Sequence, residues 1–107
     1  MKKSLKFEVE LDENHLPINI KMDASDGVAN EGNIKALMIS AWAAKTKETL
    51  RIDLWTKDMP IHEMFIMYHQ TMAAMATSLE KATGQDKLAG ALRDYCEFFA
   101  QETKIKG

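Results

Sequence analysis

The chain has 107 residues, with 14 Lys and Arg against 16 Asp and Glu, a formal net charge of −2, and 46% apolar to 28% charged residues. That balance suits one domain spanning 1–107 with its own core, and it excludes a chain too polar to fold. It also excludes a strong overall field toward nucleic acid or an acidic membrane, and the single cysteine, Cys96, excludes an internal disulfide.

Met1-Lys2-Lys3 is like the basic start of a signal peptide, but no apolar stretch follows it. No run approaches the ~18 apolar residues of a membrane span. A lipoprotein anchor needs an early cysteine, and Cys96 is late. The expected location is cytoplasmic.

Leu5, Phe7, Val9 and Leu11 alternate with Lys6, Glu8, Glu10 and Asp12, which predicts a half-buried strand. Asp12-Glu13-Asn14-His15 reads as a turn. Alternation resumes through Leu16, Ile18, Ile20, Met22 and Ala24, with Pro17 near the start, where a missing N–H is tolerated. The two strands predict an antiparallel hairpin with one wet face. Ser25 to Asn33 reads as a loop, and its glycines lack the spacing of a phosphate-binding or dinucleotide pattern.

Ile34 to Lys45 supports two readings, a helical stripe or a strand with Leu37, Ile39 and Ala41 on one face and Met38, Ser40 and Trp42 on the other. The clean alternation of Leu50, Ile52 and Leu54 beyond a short polar link favours the strand and a second hairpin. The hairpins together occupy about 4–57.

Two helices are expected at about 60–83 and 86–103. Pro60 and Glu63 suit a helix start, and Ile61, Phe65, Tyr68, Met72, Met75, Leu79 and Ala82 form a core stripe. Lys81 and Gly84 form a stop, and Asp86 is a candidate cap for the second helix. Leu88, Ala91, Leu92, Tyr95, Phe98 and Phe99 form the apolar face of that helix, and Glu102, Lys104 and Lys106 suggest a fraying tail. The short link makes the helices antiparallel neighbours. Strands followed by helices predict an α+β fold in two layers, a four-stranded antiparallel sheet with both helices packed on one face.

Candidate chemistry is sparse. His62 and His69 are seven apart, ~10.5 Å along a helix, too far to share one metal ion. His62-Glu63 lacks a second histidine at position 66, which is Ile66. Met59, Met64, Met67, Met72 and Met75 could bind Cu(I), but such residues more often fill irregular gaps in a core. Cys96 has no partnering base in any recognisable pattern, and the serines lie outside any nucleophile elbow. No catalytic residue, cofactor site or metal site is assigned.

One feature exceeds what a minimal fold requires. The third strand is apolar on both faces, and Met64, Ile66 and Met67 make the first helix apolar almost all round near its start. Two explanations stand: an interface, for which a homodimer is the simplest solution, or self-cover by a loop such as Ser25–Asn33. The interface reading places the contact surface at Met38, Trp42, Trp55, Met64 and Met67.

The string Thr49-Leu50-Arg51-Ile52-Asp53-Leu54-Trp55-Thr56-Lys57-Asp58-Met59 resembles the central motif of the gliding-motility-associated GldC family of Bacteroidetes. Val9-Glu10-Leu11-Asp12-Glu13-Asn14 with Pro17, Lys35-Ala36, Ser40 and Trp42, Ala82-Thr83-Gly84 and Asp94-Tyr95-Cys96 extend the resemblance over nearly the whole chain. Ala43 departs from it, standing where an acidic turn residue is expected. The resemblance implies a cytoplasmic accessory protein of gliding motility, linked to type IX secretion, with a protein partner of that machinery or itself as homodimer, and no catalytic residues to carry over. The alternative is a small-ligand or metal-binding protein using a sheet–helix cleft with His62, His69 or Met64.

Overall fold

The structure, a computed structural model, describes residues 1–25 and 34–105. The order is β1 (Leu5–Leu11), β2 (Pro17–Ala24), β3 (Ala36–Ala43), β4 (Glu48–Trp55), α1 (Ile61–Thr83) and α2 (Asp86–Thr103). The chain is α+β, strands first and helices after, and Ile34–Lys45 contains a strand, not a helix. It divides into two compact units, Met1–Met59 and Pro60–Gly107.

In the first unit β1 pairs antiparallel with β2, and β3 with β4. The expected single four-stranded sheet is corrected to two two-stranded sheets. β2 meets the segment leading into β3 at one isolated bridge, Ile20 to Ile34. Alternation sets which face of a strand is apolar but carries no information about which edges pair. The connecting residues 26–33, read above as a loop and a possible cover, lie outside the described residues.

Each hairpin turn is set by local chemistry. In the first, the Asp12 carboxylate Oδ1 accepts from the Asn14 and Leu16 N–H at 2.9 and 3.0 Å, and His15 takes φ 63°. In the second, Lys47 N–H bonds Ala43 C=O at 2.8 Å and Lys47 takes φ 57°. Ala43 itself is the last residue of β3, paired with Glu48. The open ends of β1 and β2 are tied by Ser4 N–H to the Ser25 hydroxyl and Ser25 N–H to the Ser4 carbonyl.

The pairs Leu5–Ala24, Phe7–Met22 and Val9–Ile20 give the first hairpin one apolar face, and Lys6–Asp23 and Glu8–Lys21 give it a charged one. Ile20 is fully buried. The expected alternation is therefore present, with a bulge beyond Glu10 where Leu11 pairs with Pro17.

In the second unit α1 and α2 form an antiparallel helical hairpin. Gly84 at φ 71° ends α1, its N–H bonded to Glu80 C=O. Gln85, not Asp86, occupies the N-cap of α2, and Asp86 begins the helix, where its charge suits the positive end of the dipole. Buried Ala76, Ala89, Cys96 and Ala100 are small, which lets two helices approach closely. The Phe65 and Phe99 rings meet edge to face at 6.0 Å, and Arg93 bonds Glu80 at 2.9 Å. Much of the expected core stripe is nonetheless exposed, including Ile61, Phe65, Tyr68 and Met75. Two facing helices bury only the residues along their seam, and here that seam is lined by alanines.

Gly90 lies within α2, and a Cβ there would meet nothing within 4 Å. Gly90→Ala is expected to stabilise the protein by about 0.5–1 kcal/mol by reducing unfolded-state entropy. Urea melts that show no rise in the midpoint would contradict this geometry.

Candidate functional site

The β3–β4 ladder runs through Ala36–Trp55, Leu37–Leu54, Met38–Asp53, Ile39–Ile52, Ser40–Arg51, Ala41–Leu50 and Trp42–Thr49. Directly opposed residues share a face, and successive pairs alternate between faces. One face therefore carries Leu37, Leu54, Ile39, Ile52, Ala41 and Leu50. The other carries Trp42, Thr49, Ser40, Arg51, Met38, Asp53, Ala36 and Trp55. On this second face Arg51 bonds both Ser40 and Asp53.

Both tryptophans are exposed, Trp42 at 66% and Trp55 at 53%, and they sit at opposite ends of one face with Met38 between them. Met64 and Met67 lie on α1 in the other unit, three residues apart and half-buried. The structure thus brings Met38, Trp42 and Trp55 onto one face of one hairpin, and Met64 and Met67 onto one helix. On the opposite face Leu50 and Ile52 are 59% and 50% exposed.

Directly after β4 the chain makes a junction with the first hairpin. Thr56 N–H extends the β3–β4 ladder by bonding Lys35 C=O at 2.7 Å, and Lys57 N–H bonds the first hairpin at Pro17 C=O at 3.0 Å. Lys57 Nζ reaches Asp12 Oδ2 at 2.9 Å. Thr56 is 2% exposed, and its hydroxyl donates to Asp58 Oδ1 at 2.6 Å. A buried hydroxyl is stable only when hydrogen-bonded, and the Asp58 carboxylate meets that need with a charge-assisted bond.

Leu16, Pro17, Asp53, Leu54, Trp55 and Lys57 line an open cavity of about 360 Å³ beside this junction. Its two charges are already paired within the chain, Asp53 with Arg51 and Lys57 with Asp12. What remains for an occupant is an apolar wall of Leu16, Pro17, Leu54 and Trp55. Alternation could not find this grouping, because Leu16–Pro17 and Asp53–Lys57 are distant in sequence. The signal present was the end of the distinctive string, Thr56-Lys57-Asp58, whose side chains make the junction.

The carboxylates that titrate unusually are explained by these contacts. The Lys57 ammonium donating to Asp12 holds that carboxyl below its usual range, with the Leu16 and Asn14 N–H groups adding to the effect. The Thr56 hydroxyl does the same for Asp58, helped by the charge of Lys35. Lys6 and Glu8, bonded at 3.0 Å, shift each other toward the charged forms. Among the described residues, no group of three or more His, Cys, Asp or Glu stands close enough to hold a metal ion. His69 lines a separate depression of about 230 Å³ with Ile66, Gln70, Ala100 and Ile105.

The gliding motility-associated GldC-like family matches residues 17–105. The chain belongs to that family. Comparison with curated proteins and with solved structures returns no match. The GldC-like match covers the junction from Pro17 to Asp58 and both helices. No helix among the described residues of this GldC-like chain is long and apolar enough to cross a membrane.

Two outcomes test the junction. Thr56→Val leaves Asp58 without its hydroxyl donor and is expected to cost about 1–2 kcal/mol, with the Asp58 carboxyl moving back up toward its ordinary pKa in NMR titration. Because the Asp12 carboxyl is depressed in the folded state, its contribution is present above its unfolded pKa and is lost as pH falls through the lowered value. Denaturant melts across the acid range should therefore show a smaller acid-side loss in Asp12→Asn than in the parent. An identical pH profile would remove the Lys57–Asp12 bond from this account.

Proposed function

We propose that the chain is a non-enzymatic accessory protein of the gliding apparatus that works in the cytoplasm by docking a protein partner. The observation that carries the reading is the pair of exposed tryptophans on one face of the β3–β4 hairpin. Tryptophan is a large apolar residue enriched at the cores of protein interfaces and among their energetic hot spots. Membership of the GldC-like family supplies the setting. The cavity beside Trp55 adds a recess in which an apolar anchor side chain of the partner can seat, since the charges at its rim are satisfied internally.

The half-buried Met64 and Met67 near the start of α1 form a second, separate part of the proposed contact surface. Methionine adapts its shape to varied partners.

Trp42→Ala with Trp55→Ala, placed in the native cell, is expected to reduce surface spreading to the level of a deletion. The purified double variant should retain a cooperative melt, because both side chains are solvent-facing. Normal spreading by a strain producing the double variant at parental levels would sink the proposal.

A further inference from the structure

The outer edge of β4 has no strand paired to it among the described residues. Thr56 turns its N–H toward Lys35, on the β3 side. Hydrogen-bonding directions alternate along an antiparallel strand, so Leu54, Ile52 and Leu50 also face β3. Thr49, Arg51, Asp53 and Trp55 then direct their backbone N–H and C=O groups to the open edge. An open edge of this kind is a template for another strand.

The order of side chains on that edge is self-complementary. A two-fold axis through Ile52 sets Ile52 opposite its own copy and Leu50 opposite Leu54 on one face. On the other face it sets Arg51 opposite Asp53, Asp53 opposite Arg51, and Thr49 opposite Trp55. Like charges never meet, and the two copies' Arg51 and Asp53 form a square of alternating sign. The open-edge residues Arg51 and Asp53 fall in hydrogen-bonded pairs, and Ile52 falls in the non-bonded pair between them, as an antiparallel ladder requires. The arrangement continues the exposed Leu50 and Ile52 into one apolar strip shared by both copies. At the Trp55 end the first hairpin adjoins this edge, where Lys57 N–H bonds Pro17 C=O, so the open stretch runs from Thr49 to Trp55.

We infer that this chain forms a two-fold homodimer by antiparallel pairing of β4 with β4 of a second copy, centred on Ile52, giving a continuous four-stranded sheet across the dimer. The inference deepens the interaction reading above by naming one partner and its register. It rests on that reading, and its test in pure protein is separate from the motility test.

Analytical ultracentrifugation of the purified full chain is expected to show a concentration-dependent monomer–dimer equilibrium. Arg51→Asp places four acidic groups at the centre, and Asp53→Arg places four basic ones. Each variant alone should dimerise about tenfold more weakly or worse. Mixed one to one, the two variants should recover a heterodimer, which a loss of folding could not produce. Arg51→Pro removes an open-edge N–H without touching the ladder to β3, and it should also give monomer. Amides of Arg51 and Asp53 should gain hydrogen-exchange protection as concentration rises. A parent that is monomeric at every concentration overturns the inference. So does a dimer that survives in both charge variants, or a mixture that stays monomeric.

Discussion

The bond from Lys57 to the first hairpin is the constraint on which the strand unit depends. An isolated two-stranded hairpin is marginal in water, because a single ribbon shelters little apolar area for the backbone entropy it costs. Here two such ribbons occur in succession, and they are joined by a small number of specific bonds. Lys57 contributes a backbone bond to Pro17 and a side-chain bond to Asp12. The same Asp12 carboxylate organises the β1–β2 turn through Asn14 and Leu16. One carboxylate thus couples the shape of a local turn to the placement of a strand 45 residues away in sequence. The Thr56–Asp58 bond then buries the hydroxyl at the centre of the joint, so the joint contributes specificity as well as attachment.

This joint also explains which parts of the molecule were legible in the sequence. The faces of β1 and β2 follow from alternation, as the pairs Phe7–Met22 and Glu8–Lys21 show. Local signals also located the end of α1, because Gly84 is the residue that readily adopts a left-handed cap. β3 was ambiguous because its residues satisfy both a helical stripe and a two-faced strand, and the neighbouring Leu50–Leu54 alternation decided it. Edge pairing was not legible. β2 and the segment leading into β3 share a single bridge, where one four-stranded sheet of unspecified order was expected, and no property of Ile20 or Ile34 alone reveals this. The cavity at Leu16, Pro17 and Trp55 was likewise invisible, since it exists only once Lys57 has bonded to Pro17.

The burial pattern is the strongest departure from expectation. Large residues such as Leu50, Ile52, Ile61 and Phe98 are exposed, while the buried apolar set among the described residues is Ile20, Ala76, Ala89, Cys96 and Ala100. Scattered apolar exposure is ordinary, but here it follows the elements: an apolar strip along β4 and a stripe along α1. On α1 and α2 the alanine seam buries small side chains and leaves larger ones such as Tyr95 and Phe98 exposed.

The charged groups of the strand unit are held by bonded neighbours. An acid or base used in catalysis is commonly tuned toward neutrality at the working pH, by burial or by a like charge nearby. The shifted groups here move the other way. Asp12, Asp58 and Glu8 are driven toward the anion, and Lys6 toward the cation, each by a bonded neighbour. Such groups hold fixed charges through the physiological range, which suits them to positioning strands and turns. Arg51 and Asp53 are paired with one another on the open edge of β4. A charge pair on an edge ordinarily discourages strand addition, because an incoming strand must strip water from both groups. The exception is a strand that brings the opposite charge to each position. In this sequence the strand that does so is β4 itself, so the edge that resists unrelated strands is the one that matches its own copy.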